Sequence, residues 1–209
     1  MKKISLPTII ILLCVTGFAQ TSTERIYIKG GNSAWENFKK ELYQYPAFEV
    51  GIVEYKNGQR FKSTMNYNKV LTTIQFIDEK GDTLAMSNEE TINFITIGND
   101  VFYYNPSCMQ EVKSYGKVKL LKNERIRIAD KQKTGGYGIP NAAGTIESID
   151  RMDTRFMYNQ LDINESLLLS KLTSFYLAYD ENRVVPASKK NALGDEVGII
   201  LWIRRGYRP

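Results

Sequence analysis

Between residues 48 and 105 the chain alternates short apolar runs with turn-forming residues, and this rhythm limits the fold more than any other feature. Asn57-Gly58 lies between two strand-like runs, where the dipeptide predicts a two-residue type I′ hairpin because both central residues need a positive φ. Asp78 to Asp82 and the triplet Gly98-Asn99-Asp100 punctuate the chain in the same way. Between the turns, apolar residues recur with period two. Phe48, Val50 and Ile52 share one predicted face, as do Phe61, Met65 and Tyr67, then Ile74 and Phe76, Leu84 and Met86, Ile92 and Phe94, and Phe102 and Tyr104. One apolar face per strand is the pattern of an antiparallel sheet covered on one side. Val53, Tyr55, Ile95 and Ile97 depart from strict alternation, so part of the second face is expected to be covered too. The expected fold is mainly β, of the α+β kind: an antiparallel meander forming a sandwich or a partial barrel.

The flanks add a helix and more strands. Residues 24–29 alternate as a short strand would, and Gly30-Gly31 ends it. Ser33, with Glu36 three residues on, has the pattern of a capping box. Trp35, Phe38 and Leu42 then form one apolar stripe, giving an N-terminal amphipathic helix that Pro46 closes and whose stripe is expected to pack on the sheet. Strands are predicted at 110–114, 117–121 and 124–129, with Tyr115-Gly116 and Lys122-Asn123 as turns. Residues 130–144 read as a long Gly-rich loop. Residues 145–149 and 156–158 each suit a strand. Residues 164–169 read as a short helix or turn leading into a strand that ends at Asp180-Glu181-Asn182. Ser188 is placed to cap a short helix, and residues 188–209 form that helix and a tail. The run Gly198 to Ile203 followed by Arg204 and Arg205 suits a final buried element or, as a rival reading, a membrane-surface anchor.

The first residues have the form of an export signal. Lys2 and Lys3 precede an apolar run from Pro7 to Val15, and Gly17-Phe18-Ala19 offers small residues for cleavage after Ala19. Lipidation at Cys14 is the rival processing, although Leu13 stands where a small residue is wanted. The expectation is a signal peptide at 1–19, a single β-rich domain at 20–209, and a periplasmic or outer-envelope location in a Gram-negative cell. No later run approaches the roughly 18 apolar residues of a spanning helix, so no transmembrane span is expected after signal removal. The charge of +5 falls to +3 without Lys2 and Lys3, and basic residues are dispersed along the chain. That distribution does not suggest nucleic acid as a partner.

The chain contains no histidine, which excludes Ser-His-Asp and Cys-His catalysis and His-containing zinc sites. Once Cys14 leaves with the signal, Cys108 is the only thiol, so neither an internal disulfide nor a Cys-rich metal site can form. Cys108 is expected to be a buried free thiol, with intermolecular pairing as the alternative. Asp78, Glu79 and Asp82 are the tightest carboxylate cluster, but a solvated hairpin tip offers nothing to raise an acid's pKa. Gly135-Gly136-Tyr137-Gly138 matches no dinucleotide or phosphate-loop spacing. No cofactor or metal is expected. Thirteen tyrosines and nine phenylalanines are the residues best suited to binding. Asn66-Tyr67-Asn68 and Tyr103-Tyr104-Asn105 set rings beside amides, as sites for sugars or extended chains do. The candidate binding residues are Tyr67, Tyr103, Tyr104 and Tyr137.

GIVEYKNG at Gly51 to Gly58, Asn66-Tyr67-Asn68, Gly81 to Leu84 and the loop Gly136-Tyr137-Gly138 follow one another in an order that resembles a broad group of small exported β-rich envelope proteins of Gram-negative bacteria. The resemblance covers about residues 45–140 and implies export and a helix followed by a meander. It carries over no activity. The function expected from these features is a non-enzymatic envelope binding or interaction module, taking an apolar or glycan ligand or a protein partner. The ligand is expected between the sheet and the helix at 33–42. The alternative is a carboxylate-dependent carbohydrate-active hydrolase built on Asp78, Glu79 and Asp82.

Overall fold

The computed structural model describes residues 21–105, 107–134, 140–142, 165–179 and 183–188. Two glycine-containing loops show how the meander is made. Tyr55 N–H donates to the Gln59 carbonyl, Gly58 N–H donates to the Tyr55 carbonyl, and Gly58 has φ +85° while Asn57 stays at negative φ. The connection is therefore a three-residue loop, a type I turn closed by a left-handed glycine, and not the two-residue type I′ turn that Asn57-Gly58 predicts. Lys56 takes the first turn position, which shifts the glycine to the bulge. Asp78 to Asp82 repeats this geometry, with Gly81 at φ +83° and the Gly81 N–H on the Asp78 carbonyl.

These turns connect an antiparallel sheet that dominates the described residues. Its strands are β1 (Thr21–Ile28), β2 (Glu49–Tyr55), β3 (Arg60–Asn68), β4 (Thr73–Ile77), β5 (Thr83–Ala85), β6 (Ile92–Ile97), β7 (Asp100–Tyr104), β8 (Cys108–Tyr115), β9 (Val118–Thr134), β10 (Pro140–Ala142), β11 (Glu165–Ala178) and β12 (Val184–Pro186). The order across the sheet is β1-β11-β9-β8-β7-β6-β2-β3-β4-β5, with β10 on β9 and β12 on β11. One helix, α1 (Ala34–Leu42), lies between β1 and β2.

The sheet is curled. In a flat sheet, five inter-strand steps of about 4.8 Å would hold β3 and β9 roughly 24 Å apart. Instead the Tyr67 hydroxyl on β3 donates to the Glu124 carbonyl on β9 at 2.8 Å, and the Tyr67 ring stacks on Phe102 of β7 with centroids 5.8 Å apart. Backbone bonds make the same closure. Lys69 N–H donates to the Leu42 carbonyl at the end of α1, and the Lys69 carbonyl accepts the Ile126 N–H of β9. Val53, Met65, Tyr67, Ile74, Ile95, Ile97, Phe102 and Cys108 pack together inside the curl. On the same face, Phe38 and Leu42 of α1 pack with Ile28, Ile126, Leu167 and Leu169.

Several local expectations change in the structure. Gly51 and Val53 point into the core, while Val50 and Ile52 remain 57% and 38% exposed, the reverse of the face predicted for β2. Glycine has no side chain to register in a hydrophobic count, yet Gly51 marks the inward face. A Cβ there would lie 2.8 Å from the Thr96 carbonyl oxygen and 2.9 Å from the Met65 sulfur. On β6 a register shift against β2 between Glu54 and Tyr55 lets both Ile92 and Ile95 face inward. Lys122-Asn123 is not a turn, because β9 runs through it. Lys122 pairs with Glu124 at 2.8 Å, and the Asn123 amide donates to the Cys108 carbonyl at 2.8 Å, so ladder and side chains together satisfy two residues with turn propensity.

Residues 165–169 are likewise strand and neither helix nor turn. β11 is paired on both edges, to β1 and to β9, which outweighs the local helical spacing of its leucines. Asp130 to Thr134 continue β9, and residues 140–142 pair back onto it, so the expected 130–144 loop begins in one strand and contains another. Ser33 makes no side-chain cap bond. With φ −96° and ψ 0° it sits inside a turn whose bond runs from Ala34 N–H to the Gly31 carbonyl. The signal sequence, the elements expected at 145–149 and 156–158, and the tail beyond Ser188 lie outside the described residues.

Candidate functional site

The sequence singles out two tyrosine–asparagine motifs, and the structure gives them different work. In Asn66-Tyr67-Asn68 every side chain is buried and bonded. Asn66 accepts the Tyr45 N–H and donates to the carbonyls of Tyr45 and Ala47, holding the chain that leaves α1. Asn68 accepts the N–H groups of Val70 and Leu71 and donates to Gln75. Tyr67 reaches Glu124 as described, and burial pushes its hydroxyl pKa upward. The motif brackets the curl.

Tyr104 also points inward. Its hydroxyl accepts the Ile74 N–H at 3.1 Å and lies 3.0 Å from the Thr73 hydroxyl, which donates to Glu89. Beneath it, Cys108 is fully buried, and that burial raises its pKa so that it stays a neutral thiol. Tyr103, one residue earlier on β7, faces the other side of the sheet. Tyr137 lies outside the described residues. The structure thus joins Tyr103 and Tyr104 at one place and sets Tyr67 apart in the core.

That place is a cleft of about 190 Å³ at one rim of the sheet. Its apolar lining comes from Ile92 at the start of β6, Leu121 of β9, Ala178 of β11 and Val184 of β12. Met109, Leu121 and Ala178, with Tyr103, Tyr176 and Val184 against them, form a small core behind the cleft. The sheet registers place Tyr103 opposite Met109, Glu111 opposite Leu121, and Ala178 opposite both Lys119 and Val184. Cross-strand partners share a face. These residues therefore lie together on the face opposite α1.

The polar lining is basic. Lys56 from the β2–β3 loop, Lys117 from the β8–β9 turn and Lys119 from β9 line the cleft with Asn93 and Asn105, and among the described residues no carboxylate lines it. Gly116, at φ +56°, and Lys117 form the tight turn that brings Val118 back opposite Tyr115. Lys119 is the best-defined of the three. Its ammonium donates to the Tyr103 hydroxyl at 2.8 Å, stands 4.0 Å from the centre of the Tyr103 ring, and lies 4.0 Å from Glu111. The Tyr103 hydroxyl in turn donates to Glu111 at 3.1 Å. Burial raises the Tyr103 pKa against the opposing pull of Lys119, so the phenol is neutral and supports the ammonium as an acceptor. The sequence names Tyr103 but not the lysines, because Lys56 is far along the chain from Lys117 and Lys119 and no local motif links them.

Space beneath α1 is filled by Phe38, Leu42 and the strand side chains they meet, and none of the residues of that helix–sheet interface is among those that line the cleft. Asp78, Glu79 and Asp82 are also far from forming a catalytic pair: the Asp78 carboxylate accepts the N–H groups of Lys80 and Asp82 within the hairpin loop, and Glu79 and Asp82 are exposed. Among the described residues, no group of His, Cys, Asp and Glu is arranged to hold a metal ion. No helix among them is long and apolar enough to cross a membrane.

A second charged cluster is structural in form. Glu124 meets Lys122 at 2.8 Å, Lys171 at 3.2 Å and Lys69 at 3.9 Å, where the curl closes. Burial pushes the Glu124 pKa up, but the Lys122 hydrogen bond and the three ammonium charges outweigh it and leave the carboxyl below its ordinary value. No family model matches this chain, and neither the curated proteins nor the solved structures contain a significant match to it.

Proposed function

We propose that this chain is a non-enzymatic binding module of the bacterial cell envelope, with its curled sheet acting as a partial barrel under α1 and its ligand held in the rim cleft. The observation that carries the reading is the cleft itself, which combines an apolar floor of Leu121, Ala178 and Val184 with a polar edge of lysines and amides. Binding sites have this composition: apolar surface for affinity and a few placed polar groups for orientation. At about 190 Å³ it suits one compact group, such as a head group or single ring, and not a whole drug-sized molecule. The neutral buried Cys108, the turn-bound Asp78 and the absence of histidine from the chain favour binding over catalysis.

Export rests on Lys2, Lys3, the apolar run that follows and Gly17-Phe18-Ala19. Native mass spectrometry of protein gently isolated from envelope fractions tests both parts. The expected result is a chain beginning at Gln20 that retains a small bound molecule, with the molecule lost in Leu121→Arg. A chain that still begins at Met1 overturns export, and a bare wild-type mass overturns ligand retention.

A further inference from the structure

The chemistry of the cleft edge specifies the ligand further. Among the described residues three lysines and no carboxylate line the cleft, and two acids stand beside it: Glu111, 4.0 Å from Lys119, and Glu54, which accepts from the Asn93 amide at 3.2 Å and is paired with Arg60. An electropositive cleft with an apolar floor selects an anion that carries a compact apolar part. Arginine forks grip carboxylates and phosphates alike in a bidentate manner, whereas lysine ammoniums act as point charges that a tetrahedral phosphate can meet from several sides. Among the described residues no arginine lines this cleft.

The Tyr103 ring gives independent support. A sugar-binding tyrosine presents a bare ring face for stacking, but here the Lys119 ammonium stands over the ring at 4.0 Å and Phe94 lies beside it with centroids 6.4 Å apart. Tyr103 works as a support that fixes Lys119, leaving the other two ammonium protons of Lys119 to donate elsewhere. A lysine held in this way loses less side-chain entropy on binding an anion than a free one does.

Resting on the binding-module reading, we infer that the cleft recognises a phosphate ester, with Lys56, Lys117 and Lys119 holding the phosphate and Leu121, Ala178 and Val184 taking the carbon atoms next to it. Two sources share this chemistry, a phospholipid head group and a soluble phosphate ester. The cleft is at the sheet rim, where either can reach it.

The test is an NMR titration of the mature chain, following the amides of Tyr103, Asn105, Lys119 and Leu121. The probes are glycerol 3-phosphate, octyl glucoside as a neutral amphiphile, and phosphatidylcholine vesicles with and without phosphatidic acid. Expected are saturable shifts at these amides with glycerol 3-phosphate, weakened by about tenfold or more in Lys119→Gln, as the loss of one charge-assisted hydrogen bond requires. Lys117→Gln should weaken binding similarly, and both variants must keep the wild-type far-ultraviolet circular dichroism.

If only vesicles with phosphatidic acid bind, and Lys119→Gln abolishes it, the source is the lipid and the inference stands. Binding unchanged in both lysine variants overturns it. Octyl glucoside shifts without any phosphate response also overturn it while leaving the binding module intact. If no probe shifts the cleft amides, this inference fails, and ligand retention in native mass spectrometry decides the proposed function separately.

Discussion

The Tyr67 hydroxyl donates to the backbone carbonyl of Glu124 at 2.8 Å, joining β3 to β9 across a sheet in which four other strands separate them. The bond is buried, and the ring that carries it stacks on Phe102, so one side chain both fills and ties the curl. Tyr67→Phe keeps the ring and removes the tie. The expected cost is about 1–2 kcal/mol, from a lost hydrogen bond and a buried carbonyl left with fewer partners. Urea denaturation measures it, and a midpoint equal to wild type would show that the curl closes without this bond.

Gly51 is a packing requirement with no side chain of its own. Gly51→Ala sets a Cβ 2.8 Å from the Thr96 carbonyl oxygen, which belongs to the neighbouring strand and cannot step aside as the Met65 thioether can. A loss of about 1–3 kcal/mol is expected from overpacking. Adding Met65→Leu should not rescue it, because the backbone oxygen is the closer obstacle. Thermal unfolding of the two variants distinguishes these outcomes.

Glu124 links folding to pH. Its folded pKa lies below the ordinary 4.5, so the stability it contributes is fully present above 4.5 and is lost as pH falls through the folded value. Glu124→Gln strips the counter-charge from Lys69, Lys171 and Lys122 and should cost roughly 3 kcal/mol at neutral pH, the scale for breaking a buried pair from one side. The gap between wild type and variant should close as the pH falls below 4.5. Denaturation series at several pH values test this, and a constant gap would contradict the assignment.

Cys108 should be chemically silent while the protein is folded. It is completely buried on β8, and its pKa is raised by that burial, so little thiolate exists at neutral pH and none of it is reachable. In the chain without residues 1–19, where Cys14 is gone, Ellman's reagent should report no thiol in native protein and one in denaturant. Rapid native labelling, or a dimer on non-reducing gels, would show that β8 opens.

Residues that act on their neighbours in the chain are legible in the sequence alone. Asp78 and Gly81 bend their own loop, the period-two apolar runs make strands, and Phe38 and Leu42 bury one helix stripe, because each of these depends mainly on residues a few positions away. Even there, the type of turn at Asn57-Gly58 depends on whether Lys56 joins the loop, which the dipeptide does not state. The face of β2 is hidden for a related reason: Gly51 is inward-facing yet adds nothing to a hydrophobic count.

The cleft belongs to a different class. Tyr103 stands out in the sequence for its type, but its partners Lys119 and Glu111 become partners only when β7, β8 and β9 fall into register. Lys56 and Lys117 arrive from two unrelated turns. Local sequence determined that this chain is mainly β and makes an antiparallel sheet. The curl, the burial of Cys108 and Glu124, and the gathering of three lysines over an apolar floor were decided by tertiary structure, since they depend on which distant strands meet and on which face each side chain then projects.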